Sequence, residues 1–155
     1  NGSCRDAAFL RLIRGAYMFI ILCLINIVVI SLVVLIHHEA LFNLSKFLPR
    51  LATPRHQVLV GLIGVLVAHT VEIWLFALAF YQLNTDGRFG SLSGNFSATM
   101  LDCAYFSFTV YTSLGFGDIV PIGDLRFLCG LESLIGLVMI AWSASFMYME
   151  MRKNW

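Results

Sequence analysis

Seven consecutive residues, Thr112-Ser113-Leu114-Gly115-Phe116-Gly117-Asp118, carry the most specific chemistry in this chain. Two hydroxyls precede two glycines that flank an aromatic residue, and a carboxylate follows. Backbone carbonyls can replace the hydration shell of a cation when successive oxygens face one axis, which requires left-handed backbone angles that most residues resist. Gly115 and Gly117 supply those angles. The chemistry read from this pattern is coordination of a cation by main-chain oxygens, with no catalytic group involved.

Other polar side chains stand in apolar surroundings. His69 and Glu72 are three residues apart and share a helix face near the middle of a hydrophobic stretch. A charge there costs about 2.5–3.5 kcal/mol on the milder insertion scale, so both groups need partners. Two readings stay open for them: a protonation-sensitive element, or a hydrogen-bonded network pinning one helix to another. Glu132 offers the same choice and is expected to brace the 112–118 segment from behind through Thr109 or Thr112. His37, His38 and Glu39 could suggest a metal, but adjacent helical histidines diverge by about 100°. They are expected to form a solvated interfacial cluster. A hydrolase built on His69, Glu72 and a serine would need a glycine-framed nucleophile nearby, which is absent, so the chain is not read as an enzyme. Cys4, Cys23, Cys103 and Cys129 lack metal-type spacing and are read as small apolar fillers.

The elements that must hold these residues are membrane elements. Of 155 residues, 59% are hydrophobic and 12% charged, and the mean hydropathy is +0.85. Such a composition does not suit a soluble domain, and the net charge of +1 with no basic cluster argues against nucleic acid. About 20 apolar residues cross a bilayer, which predicts spans over 16–36, 57–83 and 126–150. Residues 1–15, with Arg5, Arg11 and Arg14, read as an interfacial lead-in. Residues 37–56, with Pro49 and Pro54, read as a connection, 84–98 as a polar extracellular loop, and 151–155 as a cytoplasmic end. The first residue is not methionine, which predicts a processed, truncated or renumbered start.

Residues 99–118 are too short to cross. Ser97 or Thr99 can cap a helix running to about Tyr111, with Asp102 in its first turn near the positive dipole end, and the Gly-rich segment then turns back. Basic residues are balanced between the two sides of these spans, so charge leaves orientation undecided. None of the spans has the regularly spaced arginines of a voltage sensor. Only a few residues follow the last span, which predicts gating without an attached ligand-binding domain.

A short helix, a hydroxyl pair, alternating glycines, an acid, a proline turn and a span together resemble the pore module of potassium channels. Ser113, Leu114, Gly115, Phe116, Gly117 and Asp118 stand where that family has TVGYGD, and the likeness covers residues 97–149. The resemblance implies an all-α integral membrane fold of three transmembrane helices with a re-entrant pore helix and selectivity-filter loop. K⁺ would be held by the carbonyls of Ser113, Leu114, Gly115 and Phe116 and by the Ser113 hydroxyl. A homotetramer is implied, because a filter needs four such loops, and membrane lipid is its surroundings. Asp118 would ring the outer mouth. Gly136 would be a hinge, with Leu137, Ala141, Ala144, Ser145 and Tyr148 lining the pore. No cofactor is implied beyond K⁺ itself. The location implied is a bacterial inner (plasma) membrane, with the carboxyl terminus cytoplasmic and, by span parity, the amino terminus extracellular or periplasmic. Phe116 removes the phenol that would tie the filter to its supporting helix, and Phe106 offers no donor, so a less rigid filter is expected. The alternatives are a non-selective cation channel of the same architecture and a non-conducting channel homologue.

Overall fold

The computed structural model describes residues 2–51 and 53–154, and side chains from residue 15 to residue 153 except 52. The side chains of Cys4, Arg5, Arg11 and Arg14 therefore lie outside the described residues. Among the described residues, four α-helices and a small ribbon form the main elements: α1 (Gly2–Phe47), α2 (Pro54–Asp86), β1 (Gly90–Gly94), α3 (Met100–Tyr111), β2 (Ile119–Gly123) and α4 (Leu125–Asn154). Stretches Gly15–Arg50, Pro54–Asp86 and Leu125–Lys153 are long and apolar enough to cross a membrane. Even the shortest, 29 residues, is about 44 Å long at 1.5 Å per residue, beyond the roughly 30 Å of hydrocarbon.

Helix α1 departs from the expected outline at both ends. The lead-in over 1–15 is continuous with the first span, and the connection over 37–56 is helical as far as Phe47. The apolar stripe does not stop at Ile36: Leu41 and Leu48 are buried with Val65 of α2 and Phe146 of α4, and Leu44 packs against them. Pro49 then disfavours helical angles at Leu48 and forces a single 3-10 turn, Leu48–Arg50. Thr53 caps α2, its Oγ1 accepting from the His56 N–H, with Pro54 in the first turn. Gly87, left-handed at φ 68°, closes α2.

The 84–98 loop contains a strand that sequence periodicity does not reveal. β1 and β2 pair antiparallel, Gly90 opposite Gly123 and Gly94 opposite Ile119. A Cβ on Gly94 would lie 2.2 Å from the Asp118 carbonyl oxygen, so only glycine allows this ribbon to close beside Asp118. The core lies where α3 wedges between α2 and α4. Phe76, Phe80, Phe106, Tyr111, Leu125 and Leu128 are buried there, and Phe80 meets Phe106 edge-on at 5.0 Å between centroids.

Candidate functional site

α3 is fixed at both ends. Thr99 Oγ1 accepts from the Asp102 N–H at 3.1 Å, and Asp102 Oδ2 accepts from the N–H groups of Ser97 at 2.8 Å and Thr99 at 3.4 Å. This capping box settles the cap on Thr99 rather than Ser97. The Ser97 N–H first, then Thr99, hold the Asp102 carboxyl below its ordinary range despite some opposing burial. At the other end, the Tyr111 backbone lies directly against Gly136 of α4, where a Cβ would come within 2.1 Å of the Tyr111 oxygen. Gly136 thus sits inside an unbroken α4 as a close-packing position.

Beyond Tyr111 the backbone changes hand at every residue. Ser113, Gly115 and Gly117 have φ of 57°, 53° and 80°, while Leu114 and Phe116 between them are not left-handed. Nothing lies within 4 Å of a Cβ added at Gly115 or Gly117, so these glycines serve backbone conformation, not space. A left-handed serine is strained by roughly 1–2 kcal/mol, and two backbone bonds hold the segment in place. The Ser113 N–H donates to the Val110 carbonyl at 2.9 Å, and the Gly115 N–H to that of Thr109 at 3.0 Å. Ser113 Oγ is also 2.8 Å from Ser133 Oγ on α4. The side chains of Leu114 and Phe116 stand out from the chain, 59% and 65% exposed.

Asp118 is tethered. The Tyr105 hydroxyl of α3 donates to Asp118 Oδ2 at 2.8 Å, and the carboxylate pushes that phenol above its ordinary value. Tyr105, one helical position before Phe106, thus ties Asp118 to α3, a different link from the one that Phe116 and Phe106 lack. Thr109 and Thr112 bond back to carbonyls of their own helix, Phe106 and Phe108. The expected brace from Glu132 through either threonine is therefore corrected. Glu132, fully buried, meets Ser107 Oγ instead, and the same hydroxyl lies 2.9 Å from the Ile73 carbonyl of α2.

His69 and Glu72 belong to a larger buried cluster. Glu72 Oε1 is 2.8 Å from His37 Nδ1, and Oε2 is 3.3 Å from His69 Nδ1 and accepts from the Tyr111 hydroxyl. The Nε2 atoms of both histidines face Ser143 Oγ of α4, at 3.3 Å from His37 and 3.1 Å from His69. Trp142 packs on the His37 ring at 5.2 Å. His37 is completely buried, which corrects its placement in a solvated cluster, whereas His38 and Glu39 beside it are exposed. His37 lies on the buried stripe of Val33 and Leu41, one helical turn to either side. Because α1 is apolar on all its faces, the sequence does not mark which stripe turns inward.

The α4 residues Leu137, Ala141, Ala144, Ser145 and Tyr148 are all exposed on the isolated chain. Residues that sequence reasoning missed are Tyr105, Ser107, Tyr111, Ser133 and Ser143, and His37 was singled out but misplaced. The tyrosines and serines have common side chains with no distinctive spacing, and only the packing of α3 against α2 and α4 gives them partners. Against known proteins, residues 58–153 match the family model described as ion channel. No curated protein and no solved structure matches the chain.

Proposed function

Since the chain belongs to the ion channel family, we propose that it is a potassium channel in which Thr112–Asp118 is the selectivity filter. The family makes it a membrane protein for ion transport and not an enzyme. The observation that carries potassium selectivity is the alternation of backbone hand at Ser113, Gly115 and Gly117. Alternation is the condition under which successive carbonyls turn to one side, so that Ser113, Leu114, Gly115 and Phe116 present a row of oxygens in place of water.

One such row is a quarter of a coordination cage, so the functional unit is a homotetramer around a fourfold axis, embedded in lipid. The exposed Leu114 and Phe116, and the exposed face of α4, are surfaces that neighbouring subunits would cover. Each α3 then points its carbonyl end toward the axis, contributing a partial negative charge of about half an electron. Four Asp118 carboxylates at the outer mouth concentrate cations, and Leu137, Ala141, Ala144 and Ser145 line the cavity below, with Gly136 packing α4 on the filter support. With the filter outermost, the carboxyl terminus is cytoplasmic, the amino terminus lies on the opposite side, and the membrane is a bacterial plasma membrane.

The test is the reversal potential of the purified full chain in planar bilayers under K⁺/Na⁺ bi-ionic conditions. A value near the K⁺ limit is expected. Robust current reversing near zero would replace this reading with a non-selective cation channel, which the untethered Phe116 ring favours as the second reading. Absence of current from verified tetramers would indicate a non-conducting homologue.

A further inference from the structure

The cluster at the junction of α1, α2 and α4 has a donor set that the conduction path does not use. His37, His69 and Glu72 each offer a ligand atom within 4.8 Å of the others. Two imidazoles and a carboxylate are a recurrent zinc donor set that leaves a fourth position open. Metal–ligand distances of about 2.0–2.2 Å separate the corners of a tetrahedron by roughly 3.3 Å. His37 Nδ1 and His69 Nδ1 already stand 2.8 Å and 3.3 Å from the Glu72 oxygens, and His69 Nδ1 is 2.9 Å from Tyr111 Oη. Small side-chain rotations bring these atoms around one ion.

Proton counting is compatible with the same occupant. With no ion, two neutral rings that donate from Nδ1 toward Glu72 and Tyr111 turn both Nε2 lone pairs to Ser143 Oγ. One serine hydroxyl has one proton, so with both rings neutral one of those contacts has no donor, and either a charged imidazolium beside Glu72 or a bound ion supplies it. An ion bound at both Nδ1 atoms moves each ring's proton to Nε2, and the serine oxygen has two lone pairs to accept both. This is how the outer nitrogen of a metal-bound histidine is ordinarily held.

We propose that His37, His69 and Glu72 bind one divalent transition-metal ion of the Zn²⁺ class, with Tyr111 Oη in the fourth position and Ser143 orienting both imidazoles. Entry is from the His69 side, the only partly exposed ligand, where a groove of about 440 Å³ is lined by His69, Tyr111 and Ser143 among apolar residues. The ion would join α1, which lies outside the matched region 58–153, to the residue immediately before Thr112. On the reading of 112–118 as a filter, zinc would thereby regulate current, but metal binding itself does not depend on that reading.

The test is equilibrium dialysis of the purified, detergent-solubilised full chain against Zn²⁺, with the visible absorption of Co²⁺ as a second probe. Expected are one ion per chain and a tetrahedral Co²⁺ spectrum. His37→Gln and His69→Gln should each weaken binding by more than tenfold and Ser143→Ala by about 10–100-fold, while His38→Gln should change nothing. Folded wild-type protein that binds no stoichiometric zinc, gives an octahedral Co²⁺ spectrum, or retains its affinity in His69→Gln would overturn the proposal. The wild-type measurements decide the matter even if a histidine variant fails to fold. Binding without an effect on current would separate the metal site from its regulatory consequence.

Discussion

Gly115, Gly117 and Gly136 exclude other residues for opposite reasons. Around Gly115 and Gly117 there is open space, and what excludes other residues is the positive φ. Around Gly136 the backbone is ordinary helix, and what excludes other residues is the Tyr111 carbonyl. Gly115→Ala should therefore leave helix packing and assembly intact while disrupting the hand of the 112–118 backbone. K⁺ current in bilayers should fall to background with the tetramer retained on size exclusion. Unaltered current would remove Gly115 from the conduction path. Ser113 holds the same left-handed angle without glycine's freedom, and it does so with its N–H on Val110 and its hydroxyl on Ser133. The glycine alternation was legible in the sequence, but the left-handed serine was not, because serine carries no local signal for that angle.

At the scale of elements, α3 matters most, because its position sets the start of the 112–118 segment. Its first turn is held by the Thr99–Asp102 box, and its last residue by contacts with α2 and α4. Thr99→Ala should cost about 0.5–2 kcal/mol in thermal or denaturant unfolding. Asp102 gives this element a pH dependence of definite sign. Its carboxyl is held below the ordinary range by the Ser97 and Thr99 N–H groups, so its contribution is complete above the unfolded value of about 3.9. The contribution is then lost as pH falls through the lower folded value. Melting temperature followed below about pH 4 should show an acid-induced loss that is smaller in Asp102→Asn. An identical acid profile in the variant would show that the cap carries no charge-dependent stability. This cap was legible because a hydroxyl and an acid stand three residues apart at the start of one helix. The β1–β2 ribbon was not, since Gly90–Gly94 has no alternating pattern and its partner lies far along the chain.

Across the whole molecule, the buried cluster is where all four helices meet: His37 from α1, His69 and Glu72 from α2, Tyr111 from α3 and Ser143 from α4. Glu72 is its hub. Glu72→Leu would leave three polar side chains without their shared acceptor and should destabilise the assembled protein by about 3–5 kcal/mol, as breaking a buried pair does. Glu72→Gln keeps an oxygen acceptor and the side-chain shape, and should lose less. Detergent-resistant assembly on heating compares the two. Equal losses would mean that the negative charge, rather than hydrogen bonding, holds the cluster together.

The amino-acid sequence alone determined the three apolar helices, the capped short helix and the glycine alternation after it. All of these are written in hydrophobic run length, helix-end chemistry and the steric freedom of glycine, which act over a few neighbouring residues. Tertiary structure decided which face of each helix turned inward. It brought His37 across to Glu72, sent Glu132 to Ser107 rather than to Thr109 or Thr112, and placed Tyr105 against Asp118. The physical reason is that a helix apolar on every side has no amphipathic pattern to choose its buried stripe. That choice is made only when partners from other helices arrive to satisfy the polar groups it carries.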